Sequence, residues 1–387
     1  MSHCSPLPLP DIVVTMTHRD ALRRVREELQ QLFLERADLI DGALVALLTG
    51  HHLLVVGPPG TAKSMLADEL CRRLEGARYF QWLLTRFTTP EELFGAVSLA
   101  GLEADDYRRV TTGKLPDAHI AFLDEAFKGS SSILNAILTL MNERIFHNGR
   151  APLAVPLITL FGASNELPED TELVALYDRF LFRFVVDYIT EDFRFLKLLH
   201  LEPPATRTTL SLDAVRALQE NVRAVAVPDH ALRSLAEIRR DLGRQQLIAS
   251  DRRYRQCVSV LRAHAYLLER SAVCDDDLYF LEHVLWNDPA DRPKVAVTIR
   301  ALLRGYEDEV QALLYQTREL REYALRPWES TDLRSRAVVE AHTKIRNIIR
   351  RIDEIITEAR TVGRPLSKVE AIRTEVTSIQ EEMLAHL

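Results

Sequence analysis

Lys63 and Ser64 close the run Gly57-Pro58-Pro59-Gly60-Thr61-Ala62-Lys63-Ser64. That run separates a short apolar stretch, His51–Val56, from a segment opening at Met65 with Leu66, Leu70 and Leu74 at helical spacing. An ammonium and a hydroxyl at the start of a helix, behind a glycine-containing turn, suit phosphate together with a divalent cation. The backbone N–H groups of such a loop and the helix N-terminus converge on one point and favour an anion there. Lys63 can reach β- and γ-phosphates, and Ser64 can offer its hydroxyl to Mg²⁺. One position departs from the general pattern: Ala62 stands where G-x-x-x-x-G-K-[ST] has its second glycine.

Asp124 and Glu125 follow a further apolar stretch, Ala118–Leu123. Open α/β sheets bind ligands at the carboxyl ends of their strands. Nucleotide hydrolysis needs one carboxylate in the Mg²⁺ shell and another to polarise the attacking water. Asp124 suits the first role and Glu125 the second. Asn165 comes just after the apolar stretch Leu157–Ala163. An amide there can orient the water or touch the γ-phosphate, and a turn asparagine before Leu167-Pro168 is the plainer alternative. Arg179, in Tyr177-Asp178-Arg179-Phe180 with Arg183 one turn on, reads from its neighbours as a surface ion pair. Ser250-Asp251-Arg252-Arg253 opens a later helix. Either arginine could reach phosphate, and a capped helix with two solvated arginines reads equally well.

The elements that must carry these residues follow from hydrophobic periodicity. Helical spacing covers Thr17–Phe33 and Asp38–Thr49, ahead of the first strand. Strands are expected at His51–Val56, Tyr79–Leu84, Ala118–Leu123, Leu157–Ala163 and Phe180–Val186. Apolar strands alternating with helices imply a parallel sheet covered on both faces. Thr89-Pro90-Glu91-Glu92 is a capping box that opens a brief helix. Ala96–Gly113 reads as an inserted hairpin, and Ile145–Val155, with its Asn148-Gly149 turn, as a second. After Pro203-Pro204 the chain becomes all helix, at Ser211–Val225, Asp229–Leu242, Asp251–Leu268 and Asp275–Trp286, until Pro289 and Pro293 break the pattern. Tyr306–Leu325, Leu333–Ala359 and Leu366–Leu384 then form a helical arm or a plain bundle.

Bulk properties bound the class. A chain of 387 residues holds two or three domains. With 56 acidic against 49 basic side chains, the net charge of −7 counts against a dedicated nucleic-acid binder. The four cysteines show no C-x-x-C spacing, so neither a zinc site nor a disulfide framework is indicated. Nothing in the N-terminus resembles a signal peptide, and no apolar run reaches the ~20 residues that span a bilayer. A cytoplasmic protein without membrane insertion is expected.

GPPGTAKS, FLDEAFKGSSSILNAILTLMNERIF, GASNELPED and LYDRFLFRF together resemble the MoxR branch of AAA+ ATPases, most closely its RavA-type members. The resemblance runs from about Leu29 to Trp286, and Ala62 is usual in this branch. It implies that Lys63 and Ser64 are Walker A residues, Asp124 and Glu125 Walker B, and Asn165 sensor 1. Arg179 matches the arginine finger, and Arg252 is the better match of the two arginines for sensor 2. The two inserted segments match the helix-2 and pre-sensor insertions of the clade. The implied fold is an α/β P-loop core with five parallel strands in the order 5-1-4-3-2, then an all-α lid and a C-terminal helical arm. The corresponding division is a flexible tail (1–16), core (17–200), lid (201–300) and helical-hairpin extension (301–387). The resemblance also implies ATP and Mg²⁺ as ligands and a hexameric ring of identical subunits. Its implied partners are a von Willebrand A domain protein and a substrate protein that is remodelled or activated. Two other functions are set beside it: a DNA-translocating ATPase of the same clade, and a nucleotide-gated scaffold with little turnover.

Overall fold

The structure is a computed structural model that describes residues 17–165, 171–190, 192–201, 206–304, 306–328, 330–362 and 366–384. The expected tail and all of residues 166–170 in GASNELPED lie outside these. An amphipathic helix, α1 (His18–Leu32), and a helix buried from Leu39 to Leu48, α2 (Ala37–Thr49), lead into β1 (His52–Val56), whose five residues are all buried. The phosphate-loop helix α3 (Lys63–Arg72) follows. Next come β2 (Leu74–Glu75), β3 (Tyr79–Leu83), α4 (Pro90–Phe94), α5 (Leu99–Glu103) and β4 (Ile120–Asp124). Then come α6 (Ser131–Glu143), β5 (Ile145–Asn148), β6 (Ala151–Ala154), β7 (Thr159–Ser164), α7 (Thr171–Arg179) and β8 (Phe180–Val185). The main sheet is β3-β4-β7-β1-β8 with every neighbouring pair parallel. Counting its strands along the chain, this is the expected order 5-1-4-3-2.

The order has a direct consequence for chemistry. β7 lies between β4 and β1, with Leu123 opposite Gly162 and Val56 opposite Ser164. Asn165 therefore emerges between the acids that end β4 and the loop that follows β1. Leu53, Leu54, Phe122, Leu160, Phe161 and Phe182 fill the sheet's interior with essentially no exposure. A strand buried on both faces must be apolar throughout, which is why these segments show no alternation.

The inserted segments differ from each other. β5 and β6 form the expected antiparallel hairpin, with Ile145 opposite Ala154 and Gly149 left-handed at its two-residue turn (φ +69°). Ala96–Gly113 is not a hairpin. A single antiparallel bridge joins Val97 to Arg109, and the helix α5 stands between them. Ser98 Oγ accepts the Gly101 N–H at 3.1 Å, so an N-cap starts a helix between the two bridged ends. Asn148 ties the two insertions together: its Oδ1 accepts Arg109 N–H at 2.6 Å and its Nδ2 donates to Arg109 O at 3.1 Å. The Thr89 capping box forms as expected, with Glu92 Oε2 accepting the Thr89 N–H at 2.7 Å.

Beyond β8 lie α8 (Asp192–Leu199), β9 (Leu210–Ser211, paired with β2), α9 (Leu212–Arg223), α10 (Asp229–Arg244), α11 (Asp251–Leu267), α12 (Asp275–Tyr279) and α13 (Arg292–Arg304). The helix expected over Asp275–Trp286 ends early, at Tyr279, and continues as a 3₁₀ turn over Phe280–His283. Pro293, expected as a break, stands in the first turn of α13, where a missing N–H costs nothing. The compact units interleave in sequence. One comprises 1–226 with 251–272, because α9 and α11 pack on α2; the other comprises 227–250 with 273–387. In the second unit α14 (Glu307–Leu325), α15 (Thr331–Val362) and α16 (Ser367–Leu384) make a three-helix bundle. Ala341, Ile345, Ile348, Ile352 and Ile355 give α15 a buried seam at spacings of three and four. Its 32 residues extend ~48 Å at ~1.5 Å per residue. Among the described residues no helix is long and apolar enough to cross a membrane.

Candidate nucleotide site

The loop after β1 is shaped by three positions. A Cβ on Gly57 would lie 2.2 Å from Val186 O, so only glycine lets β1 approach the end of β8 this closely. Gly60 is left-handed at φ +81°. Ala62 is also left-handed, at φ +62° and ψ +26°, immediately before the first helical residue. The departure from the general motif is thus one of residue type, not of backbone. Ala62→Gly relieves about 1–2 kcal/mol of left-handed strain and loses about 0.4–1 kcal/mol to added unfolded-state freedom, a net gain on the order of 0.5 kcal/mol. Ala62→Val, branched at Cβ, is less stable than wild type by about 1 kcal/mol or more. Urea denaturation of the three proteins checks this; a valine variant as stable as wild type contradicts the left-handed assignment.

Lys63 is buried, and its Nζ donates to Gly57 O at 2.5 Å, to Pro58 O at 3.2 Å and, at the limit of a hydrogen bond, to Asn165 Oδ1 at 3.5 Å. Burial holds this ammonium below the ordinary lysine value, while Asp124 and Glu125 pull the other way. Asn165 is a bridge: its Nδ2 donates to Glu125 Oε1 at 3.0 Å. Glu125 itself is left-handed at φ +50°, and the Ala126 N–H donates to Ala163 O at 2.9 Å just beyond it. A non-glycine residue in that conformation costs about 1–3 kcal/mol, and such strain clusters at functional sites. Glu125 Oε2 is buried 3.2 Å from Lys128 Nζ, an ion pair whose angles are not those of a hydrogen bond. Asp124 Oδ1 accepts the Glu125 N–H at 3.1 Å. Of the residues expected to act on phosphate, Lys63, Asp124, Glu125 and Asn165 thus meet at one edge of the sheet, beside Ser64 at the N-terminus of α3.

Those residues fit a bound nucleotide. The loop leaves no room for a side chain at Gly57 and aims a helix N-terminus and a lysine at one point. Ser64 and Asp124 supply the hard oxygen donors that Mg²⁺ prefers. A cavity of about 480 Å³ adjoins the loop, walled by Gly60–Ala62 and Met65 on one side and by Phe33, Leu34, Arg36, Tyr188 and Ile189 on the other. Its size and mostly apolar lining suit a purine ring. Within the loop, Thr61 Oγ1 donates to Pro58 O at 3.0 Å, across Pro59. Sequence reading missed the far wall, which comes from the α1–α2 connection, the segment after β8, and α8. The helical repeat of Phe195, Leu198 and Leu199 was the available signal for α8.

Residues 20–219 match the family model described as the MoxR domain in the MoxR-vWA-beta-propeller ternary systems, and residues 230–299 match an AAA lid domain. The chain belongs to the MoxR family of AAA+ proteins. Uncharacterized protein MJ0079 of Methanocaldococcus jannaschii is 44% identical over 291 residues, 75% of this chain and 76% of that protein. Chaperone MoxR1 of Mycobacterium tuberculosis is 28% identical over 221 residues, 54% of this chain and 56% of its own. A crystal structure from Cytophaga hutchinsonii, provisionally assigned as an ATPase, superposes with a TM-score of 0.61 at 16% identity, over 74% of this chain and 94% of that one. That likeness establishes the shared fold.

The two arginines that the MoxR resemblance singles out lie at the other edge of the sheet. Arg179 ends α7 directly before β8, and the first residue of β8, Phe180, stands opposite His52, the first of β1. The phosphate loop lies beyond the other end of β1, ~16 Å away at ~3.3 Å per residue. Arg179 Nε is buried with no hydrogen-bond partner among the described residues. Arg252 is exposed at the same edge. Its Nη2 donates to Asn142 Oδ1 at 3.4 Å. Burial first, then the charges of Arg144 and Arg252, push His51 down to about 4. Neither arginine is brought to the phosphate loop of its own chain. Arg253 is fully buried and spent on Asp178 and nearby carbonyls.

Proposed function

We propose that this chain is a Mg²⁺-dependent, ATP-hydrolysing motor that works as a ring of identical subunits, hexameric as in the family, and remodels or activates a partner protein. The observation that carries this reading is the division of the site. Binding and water-activating groups sit at one edge of the sheet, and Arg179 and Arg252 sit at the other. In a ring with heterologous, head-to-tail interfaces, one edge faces the next subunit's opposite edge. Arg179 then meets the γ-phosphate held by a neighbour, and Arg252 acts from the same side.

The chemistry follows from the cluster. Lys63 exchanges its two backbone carbonyls for β- and γ-phosphate oxygens, a charge-assisted interaction. Asn165 holds Glu125 by one oxygen, and the other takes the proton of the attacking water. The water oxygen bonds to the γ-phosphorus as the bond to the β–γ bridging oxygen breaks, leaving ADP and phosphate. Ser64 and Asp124 would hold Mg²⁺, which when bound would supply charge neutralisation to the phosphates. Arg179 of the neighbour stabilises charge that builds in the transition state.

The MoxR family model and the likeness to Chaperone MoxR1 support a chaperone-like role, and the model's description supports a von Willebrand A partner. The quoted motifs favour the RavA-type branch. In this reading residues 17–200 are the motor core, 201–300 the lid and 301–387 the arm, and the protein is cytoplasmic. The test is ATP turnover per subunit against protein concentration, with sedimentation in parallel. Turnover per subunit rises as rings assemble and then levels off. A rate per subunit that is independent of concentration, measured where the protein sediments as a monomer, contradicts the reading.

A further inference from the structure

Arg179 lies in the middle of a turn, Tyr177–Leu181, whose backbone is gripped by two other arginines. From α11, Arg253 donates through Nη1 to Leu181 O at 3.1 Å and through Nη2 to Asp178 Oδ1 at 2.9 Å, with Asp178 O at 3.3 Å and Phe180 O at 3.5 Å. From β8, Arg183 donates through Nε to Phe180 O and through Nη2 to Tyr177 O, each at 3.2 Å. Its guanidinium stacks 3.8 Å over the Tyr177 ring. Arg183 and Arg253 are 0% and 1% exposed.

Two guanidinium groups buried side by side are costly, and apolar residues of the same volume would commonly stabilise a fold more. Burial and the neighbouring Arg253 bring Arg183 down to about 9. What the pair secures is geometry. The last carbonyls of α7 have no partner within the helix, and these donors satisfy them. The planar forks bind the main chain on both sides of residue 179 and leave the Arg179 side chain ungripped at Nε.

We propose that Arg253 is a positioning residue for Arg179: by clamping the 178–181 backbone it fixes the place from which Arg179 reaches a neighbouring subunit's nucleotide. The proposal rests on the reading of Arg179 given above. It also separates two adjacent arginines whose residue chemistry alone left both open to phosphate, since Arg253 faces inward to hold the turn and Arg252 faces outward.

A double-mutant cycle on the assembled protein tests it. Arg253→Met lowers kcat for ATP by about 10²-fold, the usual effect of a misplaced catalytic group. KM stays within about twofold, because the subunit's own binding loop is untouched. The Arg179→Ala/Arg253→Met double variant is no slower than Arg179→Ala alone. Wild-type kcat for folded Arg253→Met, or losses that multiply in the double variant, overturns the positioning role. Wild-type turnover by Arg179→Ala itself overturns the reading of Arg179, and the proposal with it. Should Arg253→Met fail to fold, Asp178→Ala takes its place in the same cycle, since that carboxylate is a third exposed. It shows the same non-additivity with a smaller loss, and multiplicative losses there overturn the proposal equally.

Discussion

With Arg179 replaced by alanine, ATP turnover falls by roughly 10³–10⁵-fold, the range for an arginine supplied to a phosphoryl transition state from outside the site. Nucleotide affinity changes little, because Lys63 and the phosphate loop lie ~16 Å away along β1. The loss appears in kcat and not in KM, the signature of an interaction made only in the transition state. Equilibrium binding of a fluorescent ATP analogue alongside steady-state turnover separates the two. If affinity falls as far as turnover does, Arg179 supports the fold of its own site and the assignment to a neighbour is wrong.

Glu125→Gln gives the second large effect. Glutamine keeps the volume and can still pair with Asn165, but it cannot accept a proton from water. Turnover falls by about 10²–10⁴-fold, the usual contribution of a general base. Binding persists, so the variant accumulates ATP-bound rings. Lys63→Ala behaves in the opposite way, giving up about 1.5–3 kcal/mol of charge-assisted hydrogen bonding and hence about 10- to 10²-fold in nucleotide affinity. Rapid filtration of protein with radiolabelled ATP distinguishes a variant that binds and stalls from one that binds more weakly. Wild-type turnover in Glu125→Gln would remove Glu125 from the chemistry.

How much of this was legible in the sequence depended on whether the signal was local. The loop from Gly57 to Ser64 is contiguous, so its chemistry could be read residue by residue, down to the unusual Ala62. The interior strands were visible because burial on both faces demands unbroken apolar runs, whereas the edge strand β3, with Gln81 and Leu83 exposed, is only partly buried; Asp124, Glu125 and Asn165 mark where two of the interior runs stop. The base cavity was not visible. Its walls come from Phe33–Arg36, Tyr188–Ile189 and α8, segments more than 150 residues apart at their extremes that share no motif. Ala96–Gly113 was read only in part: Val97 and Arg109 bridge antiparallel, but the short helix that Ser98 caps between them was not foreseen. Pro293 was read as a break, although a proline in the first turn begins a helix as readily as one ends before it. The resemblance favoured Arg252 over Arg253, but the residues themselves did not: one step along a helix turns a side chain by about 100°, and only the packing of α11 decides which of the two faces inward.

The most direct test of a divided site is to mix two inactive proteins. Lys63→Ala subunits hold ATP about 10- to 10²-fold more weakly but present an intact Arg179. Arg179→Ala subunits hold ATP but lack the arginine. In randomly mixed rings at equal ratio, about a quarter of the head-to-tail interfaces combine an intact loop with an intact arginine. Turnover in the mixture should therefore recover to a substantial fraction of the wild-type rate, well above that of either variant alone. If mixed rings form, as mass spectrometry of the assembled species would establish, and turnover stays at the level of the two variants, then Arg179 does not serve a neighbouring subunit.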